Sequence, residues 1–237
     1  MIKPKLAGSP GFSRDLSLKN EELSLLRHLI RDQWLGHIKI LAPEHVNRFE
    51  ELGMVRYHEA SHLLDHSSVW PKKVRILPKN SVLEIRKMNF ISELEDCFGP
   101  FKISNGKNAE YEEIRWRLVR PNKKSDVPMS LHADSWFWEL GHGITPDGVA
   151  RVNVWIGIYI RPRMNGLVYI PGSHLKDWPY HGEMQNGINK PVMDVSEDSF
   201  NPLFFESEPG GAIIFNDKLL CRVFAIFFGH NYFGSMD

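Results

Sequence analysis

The period of the hydrophobic pattern changes near Phe101, and that change limits the chain to architectures that set a helical layer against β-structure. Before Phe101, apolar residues recur at three- and four-residue steps. Leu23, Leu26, Ile30, Trp34 and Ile38 define an amphipathic helix of about five turns, which Ser17 or Asn20 can cap and whose first turn Glu21 and Glu22 favour. Pro43, Val46, Phe49 and Leu52, stopped by Gly53, predict a second, short helix, and Tyr57 to Leu64 a third. Asn80 or Ser81 opens a fourth, carrying Leu83, Ile85, Met88, Ile91, Leu94 and Cys97 and ended by Gly99-Pro100.

Beyond Phe101 the period falls to two. Ile114, Trp116 and Leu118 alternate with Glu113, Arg115 and Arg117, as in a strand with one buried face. Val152 to Ile160, Gly166 to Ile170, Leu203 to Phe205, Ala212 to Phe215 and Val223 to Phe228 add further short β-rich runs separated by turn signals. The pattern predicts a mainly β protein with a helical N-terminal part, a sandwich or jelly roll. No polar linker separates the two parts, so 1–237 reads as a single domain, with 1–100 as a helical buttress and 101–237 as the β core.

Composition narrows the function. Apolar residues at 42% and charged residues at 24% supply an ordinary core. Twenty-nine basic residues balance 29 acidic ones, which argues against a nucleic-acid-coating protein. No apolar run approaches the length of about 18 residues that a membrane span needs, and the start lacks a secretory signal. With Cys97 and Cys221 alone there is no disulfide framework, so a cytoplasmic location is expected. The 11 His direct attention to metal and proton chemistry.

His132-Ala-Asp134 places an imidazole and a carboxylate two residues apart. At a strand end such residues project to one face and can bind a cation together. A second His from a distant strand would complete a two-His-one-carboxylate face with open positions for a bidentate co-substrate and O2. Alone the triplet is a weak signal, explained better by a loop His beside an N-capping Asp.

Four blocks in order add to it: His132-Ala-Asp134, then Asn153-Val-Trp155-Ile-Gly-Ile158, then Asn165-Gly-Leu-Val-Tyr-Ile-Pro-Gly-Ser-His174, then Pro209-Gly-Gly-Ala-Ile-Ile-Phe-Asn-Asp-Lys-Leu-Leu220. This series resembles the phytanoyl-CoA dioxygenase family, non-haem iron, 2-oxoglutarate-dependent oxygenases on a double-stranded β-helix, a form of jelly roll. The resemblance runs from about Arg115 to Leu220. It implies Fe(II) with His132 and Asp134 as its first two ligands, 2-oxoglutarate as co-substrate with Trp155 near its pocket, O2, and hydroxylation of a small-molecule substrate. His174, in the Pro-Gly-Ser-His block, reads as a loop-stabilising side chain. Trp136 and Trp138 either wall a substrate pocket or pack under the loop.

The family's second iron-binding His follows a Leu-Leu pair, where this chain has Cys221, and its 2-oxoglutarate-binding Arg stands about ten residues later, where this chain has Asn231 and Tyr232. Three readings follow. Cys221 ligates as a thiolate; or His230 folds back as third ligand with Arg222 as anchor; or the C-terminal part is altered, leaving two ligands and a non-catalytic or impaired relative. The chain ends at Asp237, where the resemblance calls for further sheet.

A rival motif is His58-Glu59-Ala-Ser-His62, which fits His-Glu-x-x-His. On a helix both imidazoles could share Zn2+ with Glu59 as base, a zinc-hydrolase reading in which His66 extends the face and Glu84 or Glu93 supplies a carboxylate. The plain alternative is an amphipathic helix with solvated His. The basic run Arg117 to Lys124 reads as a solvated strand end, or as part of the site's mouth facing an anionic substrate.

Overall fold

The computed structural model describes residues 1–103, 111–120, 130–160, 165–185 and 187–225. In chain order its elements are α1 (Ile2–Ala7), β1 (Phe12–Ser13), α2 (Asn20–Leu41), α3 (Val46–Leu52), α4 (Tyr57–Ala60), α5 (His66–Val69), α6 (Lys79–Arg86), α7 (Asn89–Phe98), α8 (Asp134–Glu139), β2 (Val152–Ile156), β3 (Asn165–Tyr169), β4 (Tyr180–Gln185), β5 (Ile188–Met193), β6 (Leu203–Phe204), β7 (Ala212–Asn216) and β8 (Cys221–Ala225). Helices and antiparallel strands are both well represented, so the expectation of a mainly β chain gives way to a mixed one. No described helix is long and apolar enough to cross a membrane.

The helical layer follows its sequence pattern closely. All five residues of the α2 stripe, Leu23, Leu26, Ile30, Trp34 and Ile38, are buried. Glu22, rather than Ser17 or Asn20, completes the first turn: its Oε2 accepts from the Lys19 N–H at 2.8 Å, and its Oε1 accepts from the Phe90 N–H at 2.9 Å. One buried carboxylate thus starts α2 and ties it to α7. Trp34 lies at the centre, edge-on to Phe49 and Tyr57 at centroid distances of 6.0 and 6.1 Å. The fourth predicted helix is divided, because Met88 is extended between α6 and α7, and Leu83, expected inward, is 60% exposed. The third is α4 followed by a 3-10 turn over Ser61–Leu63.

The strands form a sheet of order β1-β7-β2, a sheet of order β6-β3-β8 and the hairpin β4-β5, all antiparallel. Alternation along β7 links the layers. Ala212 and Ile214 join the helical core, whereas Ile213 and Phe215 pack with Leu167, Tyr169, Phe205, Leu219 and Cys221 in a second cluster between the two sheets. A third cluster, with Leu131, Ala133, Trp136, Met193 and Leu220, is flanked by Tyr180 of the hairpin.

The predicted strand around Trp116 is reduced to a single bridge, Ile76 to Arg115, flanked by the bonds Trp116 N–H to Arg75 O (3.0 Å) and Leu77 N–H to Ile114 O (2.9 Å). Its alternation is nonetheless real: Trp116 is buried in the helical core and donates through Nε1 to Gln33 Oε1 at 2.8 Å. The run from Val152 is a strand only to Ile156, and β8 begins at Cys221, two residues before the predicted start, with residues 226–228 outside the described residues.

Glu112 and Arg86 fasten the passage from the helical part to the β part. Arg86 pairs with both Glu112 oxygens and donates to Phe101 O at 2.7 Å, while Glu112 Oε1 also accepts from the Ile103 N–H at 2.7 Å. The Arg86 hydrogen bonds hold the Glu112 carboxyl below its ordinary range against the opposing effect of burial. A folded-state pKa below the unfolded one means stability that is present at neutral pH and lost as pH falls through the unfolded value and then the folded one. Glu112→Gln should cost about 2 kcal/mol at pH 7 and flatten the loss of stability in urea titrations carried out below about pH 5.

Candidate metal centre

His132 is held by main-chain pairing at the margin of the β6-β3-β8 sheet. Its N–H donates to Cys221 O at 3.1 Å, and the Cys221 N–H donates to His132 O at 2.9 Å. Residues that exchange both bonds in this way carry their side chains on one face of the sheet. Cys221 is in register with Tyr169 on its other side, so Tyr169, Cys221 and His132 form a row. Arg222, paired with Val168, alternates to the opposite face; its Nε lies 3.7 Å from Glu197 Oε2. Arg222 thus faces away from His132, and His230 lies outside the described residues.

Asp134 is the first residue of α8, and the Ser135 N–H donates to Asp217 O at 2.9 Å. Arg151 grips the same turn through Asp217 Oδ2 at 2.7 and 3.1 Å and lies 4.3 Å over the Trp138 ring. Trp136 stacks on Tyr180 at 4.5 Å, and Phe137 meets the His132 ring edge-on at 5.5 Å. The aromatic residues after the motif therefore support α8 by packing. Tyr180 donates to Glu139 Oε2 at 2.6 Å, and burial together with this bond pushes its phenol up to about 12.

The pair itself converges. His132 Nδ1 lies 2.9 Å from Ser130 O, and a carbonyl can only accept, so Nδ1 carries the proton. The free lone pair of the neutral ring then belongs to Nε2, which lies 3.6 Å from Asp134 Oδ1. An imidazole nitrogen and a carboxylate oxygen at this distance can share a proton or a metal cation. Metal bonds of about 2.0–2.2 Å from each atom span it readily. A carbonyl on the far ring nitrogen is the usual device that orients a metal-binding imidazole.

The third corner differs. Cys221 is buried, and burial with the adjacent Asp134 carboxylate pushes its thiol well up, Arg117 drawing it partly back. A neutral thiol is a poor ligand. Among the described residues no group of three His, Cys, Asp or Glu side chains is placed to hold a metal ion. The donor set thus fits a cation at two points.

Other groups bear on a ligand at this site. Trp155, in register with Ile213, packs edge-on to Phe205 at 5.6 Å between the sheets. Two residues earlier on the same strand, and so on the same face, Asn153 carries a buried Nδ2 with no hydrogen-bond partner among the described residues. An orphaned donor between the sheets suits a carboxylate. Its parity with Trp155 was visible in the sequence, which had no means of showing that the donor is unsatisfied.

Other sequence candidates lie apart from this arrangement. His174 is buried against Gly11, where a Cβ would stand 2.3 Å from its Nδ1 and where φ is +88°, so only glycine fits; both ring nitrogens lack a hydrogen-bond partner among the described residues. His58 and Glu59 are on α4, whereas His62 is in the following 3-10 turn, and both Glu59 oxygens are taken by Arg56 at 2.8 Å. His66 Nδ1 is bonded to Tyr57 Oη at 3.0 Å. Glu93 accepts from Asn89 Nδ2 at 2.5 Å and Glu84 from Lys87 Nζ at 2.7 Å.

Comparison with curated proteins finds no match to this sequence. A family model described as Phytanoyl-CoA dioxygenase (PhyH) matches residues 58–222, which include His132, Asp134, Trp155 and Cys221. Members of that family are typically Fe(II)- and 2-oxoglutarate-dependent dioxygenases. Most of the sequence, including both halves of the converging His–Asp pair, is therefore accounted for by one family, and the chain belongs to the phytanoyl-CoA dioxygenase family.

Proposed function

We propose that this chain holds Fe(II) through His132 and Asp134 and, with 2-oxoglutarate and O2, oxygenates a small molecule. The observation that carries the reading is the commitment of His132 Nδ1 to Ser130 O, which turns Nε2 toward the Asp134 carboxylate at 3.6 Å. When bound, the ferrous ion and 2-oxoglutarate supply oxidising power that protein side chains lack. The chain's own residues have simpler tasks. His132 and Asp134 fix the ion, Asn153 offers a donor to a carboxylate, and Trp155 closes the apolar wall beside it. The reading takes the two facing sheets as the halves of a double-stranded β-helix; the order β6-β3-β8 extended by His132, opposite β1-β7-β2, supports it. It takes 1–237 as one domain, supported by the burial of Ala212 and Ile214 among the helices. Two free thiols suit a reducing compartment such as the cytoplasm.

Mn(II), a redox-silent stand-in for Fe(II), tests the site by electron paramagnetic resonance. His132→Ala should weaken binding about 100-fold or more. Unchanged affinity would place the ion elsewhere. Anaerobic Fe(II) with 2-oxoglutarate should also give a weak visible charge-transfer band.

A second reading, an impaired or non-catalytic relative that keeps the pocket, is favoured by Cys221 in place of a third ligand. Binding of Mn(II) with no turnover of 2-oxoglutarate would favour it over the first.

A further inference from the structure

Glu197, in the 3-10 turn that follows β5, is joined to His132 through the main chain. His132 turns both its main-chain groups toward β8, so the neighbouring Leu131 N–H points away from that strand. Glu197 Oε1 accepts from this N–H at 2.6 Å, a short bond of the charge-assisted kind. Leu131 is 1% exposed, so little water can take the place of the carboxylate. The second oxygen, Oε2, lies 3.7 Å from Arg222 Nε, on the face that alternation gives to Arg222 and not to Cys221 or His132. The Leu131 N–H and the Ser130 C=O are the two ends of one planar peptide group. That Ser130 oxygen is the acceptor 2.9 Å from His132 Nδ1. A continuous chain of bonds therefore runs from the Glu197 carboxylate through a rigid peptide to Nδ1, and across the ring to Nε2, which faces Asp134 Oδ1 at 3.6 Å. An anion at the N–H end of a peptide makes its carbonyl oxygen a stronger acceptor. The competing arrangement places the ring proton on Nε2, where it bonds to Asp134 and closes the pair to a cation.

We propose that Glu197 is a positioning residue for His132: by holding and polarising the Ser130–Leu131 peptide it keeps the ring proton on Nδ1 and leaves Nε2 to a divalent ion. The proposal rests on the functional reading above, which supplies the ion. Glu197 acts at one remove, from the opposite face, through the direction and tautomer of the imidazole. Groups bonded directly to a metal-binding imidazole are worth about 10- to 100-fold in metal affinity, and one peptide further out the effect should be about 5- to 10-fold. Reach and charge can be separated at this position. Gln keeps an acceptor oxygen within reach of Leu131 and gives up the charge, whereas Asp keeps the charge on a side chain too short to reach.

The test has two readouts on the wild type, Glu197→Ala, Glu197→Asp and Glu197→Gln. The first is Mn(II) titration followed by electron paramagnetic resonance. Glu197→Ala and Glu197→Asp should each weaken binding about 5- to 10-fold, while Glu197→Gln stays within about twofold of the wild type. The second needs no metal: nitrogen NMR of the His132 ring at about pH 8.5, where an ordinary imidazole is neutral. The ring proton should be on Nδ1 in the wild type and Glu197→Gln, and should move in part to Nε2 in Glu197→Ala and Glu197→Asp. A general loss of packing would not sort the variants by reach, and Glu197→Asp keeps the comparison open if Glu197→Ala does not fold. Mn(II) affinity and ring tautomer unchanged in Glu197→Asp overturn the proposal, as does rescue by Asp rather than Gln, which would make charge the cause. If His132→Ala leaves Mn(II) binding intact, the metal reading fails instead, and the tautomer measurement still judges Glu197 by itself.

Discussion

Cys221→His should raise the affinity for Mn(II) or Fe(II) about tenfold or more, while lowering thermal stability. The gain follows from position. Cys221 exchanges both main-chain hydrogen bonds with His132, so the two side chains lie side by side on one face, and Asp134 acts electrostatically on the thiol. Replacing a thiol that burial keeps protonated with a neutral imidazole supplies the nitrogen donor the corner lacks. The cost follows from packing. Cys221 is 3% exposed among Leu167, Tyr169, Ile213 and Phe215, and the larger ring overpacks that cluster by about 1–3 kcal/mol. For a chain of this size that is a fall in Tm of roughly 2–12 °C. Calorimetric melting with and without Mn(II) separates the two effects, since the ion should recover part of the loss only in the variant that binds it more tightly. Absence of any gain in affinity would mean that residue 221 does not reach the ion.

Trp34→Ala should be the most damaging single change in the helical layer, costing about 3–5 kcal/mol by urea unfolding. The indole is fully buried and meets Phe49 and Tyr57 edge-on, so its removal leaves a large cavity and ends two aromatic contacts. Its Nε1 is buried without a hydrogen-bond partner among the described residues. Trp34→Phe therefore discards an unsatisfied donor along with part of the ring and should cost well under half as much. If the two substitutions proved equally costly, packing around residue 34 would not be the source of its contribution.

What could be read beforehand depended on whether the signal was local. The α2 stripe was legible because five apolar residues repeat over several turns and all face one core. The break between α6 and α7 was not: no glycine or proline marks it, and the apolar spacing runs through Met88 unchanged. The β4–β5 hairpin was missed because β4 is largely solvent-facing and Gly182 and Pro191 interrupt the two strands, so they lack clean alternation. Phe12 and Ser13 of β1 are too few to carry a period.

At the site, the His132 and Asp134 pair was local and legible, and Ser130 O two residues away gives it direction. The row of Tyr169, Cys221 and His132 joins three segments far apart in sequence; only the slot for residue 221 could be named in advance, not its face or its neutral state.

The two residues of β1 have an influence larger than their length. Phe12 and Ser13 lie along the outer side of β7 opposite Phe215 and Ile214, and the bridge from Ser17 to Gly211 continues the cover. The amides and carbonyls on that side of β7 would otherwise be a template on which a second molecule could add a strand. Occupying them from within the same chain directs any stacking of molecules to other surfaces, and makes this two-residue strand a guard against fibrous self-association.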